Sequence, residues 1–396
     1  MHGPAVGAAP GSDPGPGATL VARSARALVA VLPQWVVARL VVGGALGLAH
    51  VLVDHTHPSS PGVAARVHQG LLGWDAGWYE AIAKVGYGAL GHQSLRFFPL
   101  FPLVGRALAQ LPGVTAGAAL VVVANVAALV ATAQLRVLVR RETGDEGLAD
   151  RSAWLLSLAP PAFVLVMGYA EAPLLVCSIG CFLAVRRAWP GAPAPRWWAA
   201  ALLGLAAGLT RPLGVLVAVG LAVEAARRWR QAGLGERVMA VVATVSPVAG
   251  AGAFACWSWV AFNDALLPLR VQTGAGHHGA LSDPFRVLAD DVRGAFHHHL
   301  GTALHVPWVA LVVVLVVVCW RRLPASYSAF STVVVLAALS GTNLDSFERY
   351  ALSAFPLVIA GATLTASRRV ERVVLTLAAA GLAGYALLAF TNVVVP

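Results

Sequence analysis

The chain has 396 residues, 58% hydrophobic and only 12% charged, with a mean hydropathy of +0.74 and a formal net charge of +10. That charged fraction is about half of what a soluble globular domain carries. Apolar runs of bilayer-spanning length recur from Trp35 to Val395 and are continuous rather than alternating, which excludes a β-barrel and predicts an all-α polytopic membrane protein.

Taken in chain order, residues 1–33 are rich in Gly, Ala and Pro and read as a disordered cytoplasmic tail. Residues 34–396 form one integral membrane domain. Eleven spans are predicted, at 34–54, 117–138, 152–167, 172–187, 197–209, 212–226, 238–260, 305–320, 325–340, 350–367 and 373–393. The basic residues are 27 arginines and a single lysine, Lys84. With these spans, 18 of them fall on one side and 9 on the other, leaving aside Arg39 inside the first span. The positive-inside rule makes the richer side cytoplasmic. The charge therefore reads as a set of topology signals, and no nucleic-acid partner is expected. Outer loops follow at 55–116 and 261–304, with short outer turns at 168–171, 210–211 and 341–349.

Two segments test this topology. Residues 97–112, FFPLFPLVGRALAQLP, are apolar, but treating them as a span would put the arginine clusters outside. Their prolines and Arg106 predict an interfacial helix in the first outer loop instead. Spans 197–209 and 212–226 are short for a full crossing. They predict a broken pair whose turn, Thr210-Arg211-Pro212, sinks below the membrane surface, where backbone of that kind is either buried in protein or lines a polar cavity.

The polar residues gather on the outer side. The first loop holds the stretch GWDAGWYEAIAK, with Asp75, Glu80 and Lys84 among Trp74, Trp78 and Tyr79. If 73–85 is helical, Trp74 and Trp78 share a face that suits interfacial anchoring, and Glu80 pairs with Lys84 at i, i+4. Asp75 then starts the helix, where the dipole alone favours a carboxylate; a helix-terminal charge and a catalytic base are both open readings of it. Further along come Tyr169 and Glu171, then Arg211, then Asp345, Glu348, Arg349 and Tyr350. Arginine binds phosphate in a bidentate way, and a carboxylate can take a proton from an attacking hydroxyl. Glycosyl transfer from a lipid-phosphate sugar needs both jobs done. Glu171 also reads as a structural ion-pair partner of Arg211 or Arg349, and Arg349 as a partner of Glu348 or Asp345.

Several stretches occur in the same order as in the PIG-V family, the GPI mannosyltransferase II-like glycosyltransferases of GT-C architecture. Trp74-Asp75-Ala76-Gly77-Trp78-Tyr79 resembles its WD-x-x-W/F element, and Phe97-Phe98-Pro99-Leu100-Phe101-Pro102-Leu103 its FFPLYPLL element. Ala159-Pro160-Pro161-Ala162-Phe163 with Tyr169-Ala170-Glu171 resembles its P-A-S-x-F…YSE element, with Ala170 in place of the usual Ser. Thr210-Arg211-Pro212-Leu213-Gly214 resembles its TR-x-x-G turn, and Arg349-Tyr350 with Phe355-Pro356-Leu357 its RY…FPL element. The resemblance spans roughly residues 70–360. It implies a GT-C-like bundle that transfers mannose with inversion from polyprenyl-phosphate-mannose on the extracytoplasmic face of the plasma membrane. The acceptor would be a lipid, glycan or protein. It further implies Asp75 as catalytic base, Arg211 and Arg349 as ligands of the lipid phosphate, and Tyr169 and Glu171 as pocket walls. Trp74, Trp78 and Tyr350, which flank these groups, complete the expected substrate-binding set.

No metal or other cofactor is expected, because a phosphate is already a good leaving group. The run His297-His298-His299 invites a metal reading, but adjacent histidines on a helix point apart. These residues, with His55, His57, His68, His92, His277, His278 and His305, read as external. A transporter or flippase for a lipid-linked or polar substrate is the alternative function. It would show internal repeats and ionisable residues near the midplane, and neither is visible.

Overall fold

The computed structural model describes residues 20–56, 61–186, 194–273, 282–296, 305–341 and 344–394. Every regular element among them is helical. The α-helices are α1 (Leu20–Ala30), α2 (Leu32–Thr56), α3 (Pro61–Gln69), α4 (Asp75–Val85), α5 (Leu100–Leu108), α6 (Ala116–Thr143), α7 (Glu146–Leu158), α8 (Glu171–Val185) and α9 (Trp197–Thr210). They continue with α10 (Val217–Arg228), α11 (Leu234–Phe262), α12 (Leu267–Gln272), α13 (Pro284–Phe296), α14 (His305–Arg322), α15 (Ala325–Leu339), α16 (Phe347–Ser353), α17 (Phe355–Thr363) and α18 (Arg368–Phe390).

Five of these, α2, α6, α11, α14 and α18, are long and apolar enough to cross a bilayer. Helices α8, α9 and α15 are apolar but shorter. This is the architecture of a multi-pass membrane protein, although several of the eleven expected spans are not continuous helices. Proline explains where they break. Pro160 and Pro161 end α7 and turn the chain into a 3-10 segment, Pro160–Leu165. Pro212 does the same after α9, and Pro356 is the second residue of α17, which begins directly after a non-helical Ala354. The Pro160–Leu165 break frees backbone carbonyls inside the protein. Arg39 of α2 donates to Leu165 O at 3.1 Å, and Asn125 of α6 donates to Val166 O at 2.8 Å. The charge inside the first span is thus spent on a broken neighbour.

Two other expectations meet different outcomes. Residues 20–30 are helix α1 rather than tail, packed through Ala27, Leu28 and Val31 onto Leu129, Ala133 and Ala153. The Gly- and Pro-rich composition ends at Gly17, and residues 1–19 lie outside the described residues. By contrast, the FFPLFPL stretch carries only the nine-residue α5, too short to span, as the arginine count requires.

The core is closed by small residues. A Cβ on Gly208 of α9 would lie 1.9 Å from Pro247 O of α11, so only glycine permits these two backbones to touch. The same contact geometry recurs at the 210–214 turn. A Cβ on Gly214 would lie 1.9 Å from Ala207 O, and Gly214 N–H donates to Arg211 O at 2.9 Å. The final glycine of that turn is therefore what folds Arg211 back against α9.

Candidate active site

Four chain segments converge on one point. The first is the entry to α4. Trp74 has φ 57° and ψ −129°, a costly backbone for a bulky residue. Its indole N–H donates to Ala389 O at 3.0 Å, and the Arg66 guanidinium lies 3.9 Å above its ring. Held on both sides, the tryptophan fixes the direction in which Asp75 leaves the first turn of α4. The second segment is the Gly168–Glu171 turn. Gly168 N–H donates to Leu71 O at 3.0 Å, and the fully buried Tyr169 hydroxyl accepts from Asp75 N–H at 3.3 Å. Glu171 then opens α8. The third segment is Arg211, in extended conformation between α9 and Pro212. The fourth is α16, entered through Ser346 at φ 66°, which delivers Arg349.

These segments form a chain of buried charges. Arg349 Nη1 contacts Asp75 Oδ2 at 2.6 Å and its Nη2 donates to Ser346 Oγ at 3.1 Å. Its Nε lies 3.2 Å from Glu171 Oε1, close enough for charge attraction but not aligned as a hydrogen bond. Glu171 Oε1 also pairs with Arg211 Nη1. Tyr350 lies against both cations, with its ring centroid 5.2 Å from the Arg349 guanidinium and 5.4 Å from that of Arg211. Glu171 is 1% exposed, yet its Oε2 has no hydrogen-bond partner among the described residues. Such an orphaned buried acceptor is costly in a merely structural cluster.

A cavity of about 290 Å³ opens beside this chain, near the lower end of ligand-pocket sizes. Asp75, Tyr79, Arg96, Arg211, Gln272 and Tyr350 supply its polar wall, and Leu213, Leu216 and Leu269 part of its apolar wall. Asp75 keeps 25% of its side chain exposed. Burial pushes its carboxyl pKa up, but the Arg349 guanidinium, reinforced by Arg211 and Arg96, outweighs this and holds it below the ordinary 3.8. Asp75 is a carboxylate at any physiological pH. Burial drives the Tyr79 phenol the other way, up to about 12, so it stays a hydrogen-bond donor in the cavity wall.

The expected site residues divide into three groups. Asp75, Arg211 and Tyr350 line the cavity. Arg349, Glu171 and Tyr169 stand directly behind them and are not among its lining residues. Trp74 and Trp78 do neither: Trp74 wedges the α4 entry, and Trp78 stacks on Phe97 at 5.8 Å. Both tryptophans pack into protein because the loop folds onto the bundle. Of the two readings of Glu171, the structure contains the ion pair, made with both arginines at once. Arg349 pairs with neither Glu348 nor Asp345. Glu348 Oε1 instead accepts from His305 Nδ1 at 2.8 Å, and His305, expected outside, is only 4% exposed. His57, His277, His278 and the 297–299 run lie outside the described residues. No group of three or more His, Cys, Asp or Glu side chains among the described residues is placed to hold a metal ion.

Tyr79 and Gln272 join the cavity without having been expected there, and Arg96, one of the outer polar residues of the first loop, joins it without having been assigned a role. Tyr79 sits inside the WD stretch, and its contact with the site follows from the helical turn that separates it from Asp75. Arg96 and Gln272 are isolated polar residues on short segments, with no periodicity to reveal a shared wall.

Residues 98–344 match the family model of glycosyltransferase family 87, well over half of the chain. The chain belongs to glycosyltransferase family 87. The matched stretch includes Tyr169, Glu171 and Arg211 but stops short of Asp75 on one side and Arg349 on the other. A glycosyltransferase family is what the ordered motifs imply, and the transporter alternative is not favoured by it; the matching family is number 87 rather than PIG-V. No curated protein matches the chain. Among solved structures, this family 87 chain is similar to the Archaeoglobus fulgidus oligosaccharyltransferase in complex with Zn and sulfate. Identity is 16% and the TM-score 0.40, over 75% of this chain and 44% of that one. The same oligosaccharyltransferase tethered to an acceptor peptide containing the NVT sequon gives 14% and 0.38, over 75% and 47%. The chain therefore spans less than half the length of those structures.

Proposed function

We propose that this protein transfers mannose from polyprenyl-phosphate-mannose to a lipid, glycan or protein acceptor, with inversion, on the extracytoplasmic side of the plasma membrane. Membership of a glycosyltransferase family supports the reaction class. The motif resemblance supports the sugar and its lipid carrier. The observation that carries the reading is Asp75 at a cavity wall, held ionised by Arg349 and flanked by Arg211.

In this mechanism the acceptor hydroxyl attacks C1 of mannose while its proton passes to the Asp75 carboxylate. The C1–O bond to the donor phosphate breaks, and polyprenyl phosphate departs with one more negative charge than it brought. Guanidinium groups at the wall favour that growing charge. A depressed pKa makes Asp75 a weak base in the empty site. A phosphate that draws Arg349 towards itself relaxes the hold on Oδ2 and strengthens the base when it is needed. Arg349 thus serves this reading from behind the carboxylate as well as through the phosphate.

Purified protein in detergent is expected to move radiolabelled mannose from polyprenyl-phosphate-mannose to extracted envelope lipids or glycans. Asp75→Asn is expected to stop that transfer while the protein stays folded, with an unfolding temperature lowered by the loss of the charge that faces Arg349. Full activity in that variant sinks the mechanism, and absence of transfer from this donor by the native protein sinks the donor assignment.

A further inference from the structure

We propose that Arg96 binds the donor phosphate directly, and that α12 is the element that holds it in place. This rests on the reading of the donor as a phosphate-linked sugar and names the residue that would receive that group.

Asp75 and Glu171 carry two negative charges, and Arg211 and Arg349 two positive ones, all four joined by the contacts already described. That set is balanced before any substrate arrives. A phosphodiester entering it adds a negative charge, and departure as a monoester adds another. Arg96 adds a further guanidinium to the same wall.

Position agrees with charge. Arg349 is not among the cavity-lining residues, whereas Arg96 and Arg211 are. The Arg96 charge is felt at Asp75, where it contributes to keeping the carboxylate ionised. The residue therefore lies within electrostatic reach of the group that would face C1 of the sugar.

Local structure explains how it stays there. Arg96 ends the 3-10 segment His92–Arg96, and its guanidinium lies 5.5 Å from the Phe97 ring centroid. Its backbone carbonyl accepts from Gln272 Nε2 at 2.8 Å. Gln272 is the last residue of α12 and lines the cavity itself. A segment from the first loop and one from the second are thus latched together at the cavity wall. Gln272 is a positioning residue in this arrangement, and Arg96 a substrate-binding one.

The test compares two lipids that differ only in the phosphate. Binding of polyprenyl phosphate and of the matching polyprenyl alcohol is measured on the full-length protein in detergent by tryptophan fluorescence. The native protein is expected to prefer the phosphate. In Arg96→Gln the Kd for the phosphate rises by about tenfold or more, while the alcohol is unaffected. Arg96→Lys keeps part of the preference, because a point charge replaces a planar fork. If Arg96→Gln does not fold, Gln272→Ala removes only the latch, and a weaker loss of the same preference is expected. Unchanged phosphate binding in Arg96→Gln, or equal losses for both lipids, overturns the role of Arg96 while leaving the donor reading intact. A native protein that does not distinguish the two lipids overturns both.

Discussion

Helix α8 begins in one cluster of buried charge and ends in another, about 22 Å apart at 1.5 Å per residue. At its far end Arg186 holds Glu142 with two contacts, 2.7 and 3.0 Å, and Glu224 with a third at 2.7 Å. Tyr327 donates to Glu142 at 2.7 Å and Ser326 to Glu224 at 2.5 Å. That cluster joins α6, α8, α10 and α15. Its carboxylates are met by a fork of donors and hydroxyls, and the cavity described above does not reach it. At the near end, Glu171 leaves an oxygen without a hydrogen bond, two flanking residues adopt positive φ, and a cavity opens beside Asp75. The ingredients are alike. The difference is that one cluster is saturated and the other retains unused binding capacity, paid for in backbone strain, which is the pattern expected of a functional site.

Removing one carboxylate oxygen's charge is the sharpest way to break the comparison. Asp75→Asn is expected to lower kcat by about 10²–10⁴-fold, the range for loss of a general base, while the folded fraction stays high. A matched change at the other end should do the reverse. Arg186→Ala leaves Glu142 and Glu224 buried without their cation and is expected to cost about 3–5 kcal/mol of stability, read from chemical unfolding in micelles. Activity per folded molecule should be unaltered. A catalytic defect in Arg186→Ala at unchanged stability would mean that the two ends are not functionally distinct.

The sequence made the near end partly legible, and the limits of that legibility are physical. Asp75, Arg211 and Arg349 are ionisable residues beside apolar spans, and such residues are costly unless used, so pattern alone singles them out. The short α5 and the break after Thr210 follow from prolines and from arginine counting. Which group faces the cavity and which stands behind is different information. It depends on Trp74 and Ser346 entering their helices at positive φ, and neither residue type announces that conformation. His305 shows the same limit: a histidine at a span's edge reads as external until Glu348, 43 residues later, folds over it. The far cluster is harder still, since Arg186 reads as one more topology arginine, and α1 was hidden by the composition that precedes it.

The pH dependence separates the clusters more gently. Because Arg349 depresses the Asp75 pKa below its ordinary 3.8, the base is ionised throughout the physiological range in the free enzyme. The value of kcat/KM is therefore expected to hold from neutral pH down to about pH 4.5, with less than a twofold loss from this group. The sign for stability is the same. A depressed folded pKa contributes stability above the unfolded value, and that contribution disappears as pH falls through the folded one. A half-maximal rate near pH 6 that shifts in Arg349→Lys would show that Asp75 is not held as the geometry requires.

The smallest expected effect lies on the same helix as Asp75. Glu80 and Lys84 form an i, i+4 pair at 2.7 Å, with the lysine side chain 54% exposed. It is the chain's one lysine, and it sits only nine residues from the candidate base, so a role in binding the anionic donor is a natural thought. The geometry argues against it. Lys84 points to the open side of α4, outside the cavity wall, and its partner is already a carboxylate. Exposed pairs of this kind contribute roughly 0.3–0.5 kcal/mol. Lys84→Ala is accordingly expected to change unfolding by no more than that and donor KM by less than twofold. A large rise in KM would move the anion-binding surface from the Arg96 and Arg211 wall to the outer face of α4, and the division between a saturated end and an open one would have to be redrawn around that face.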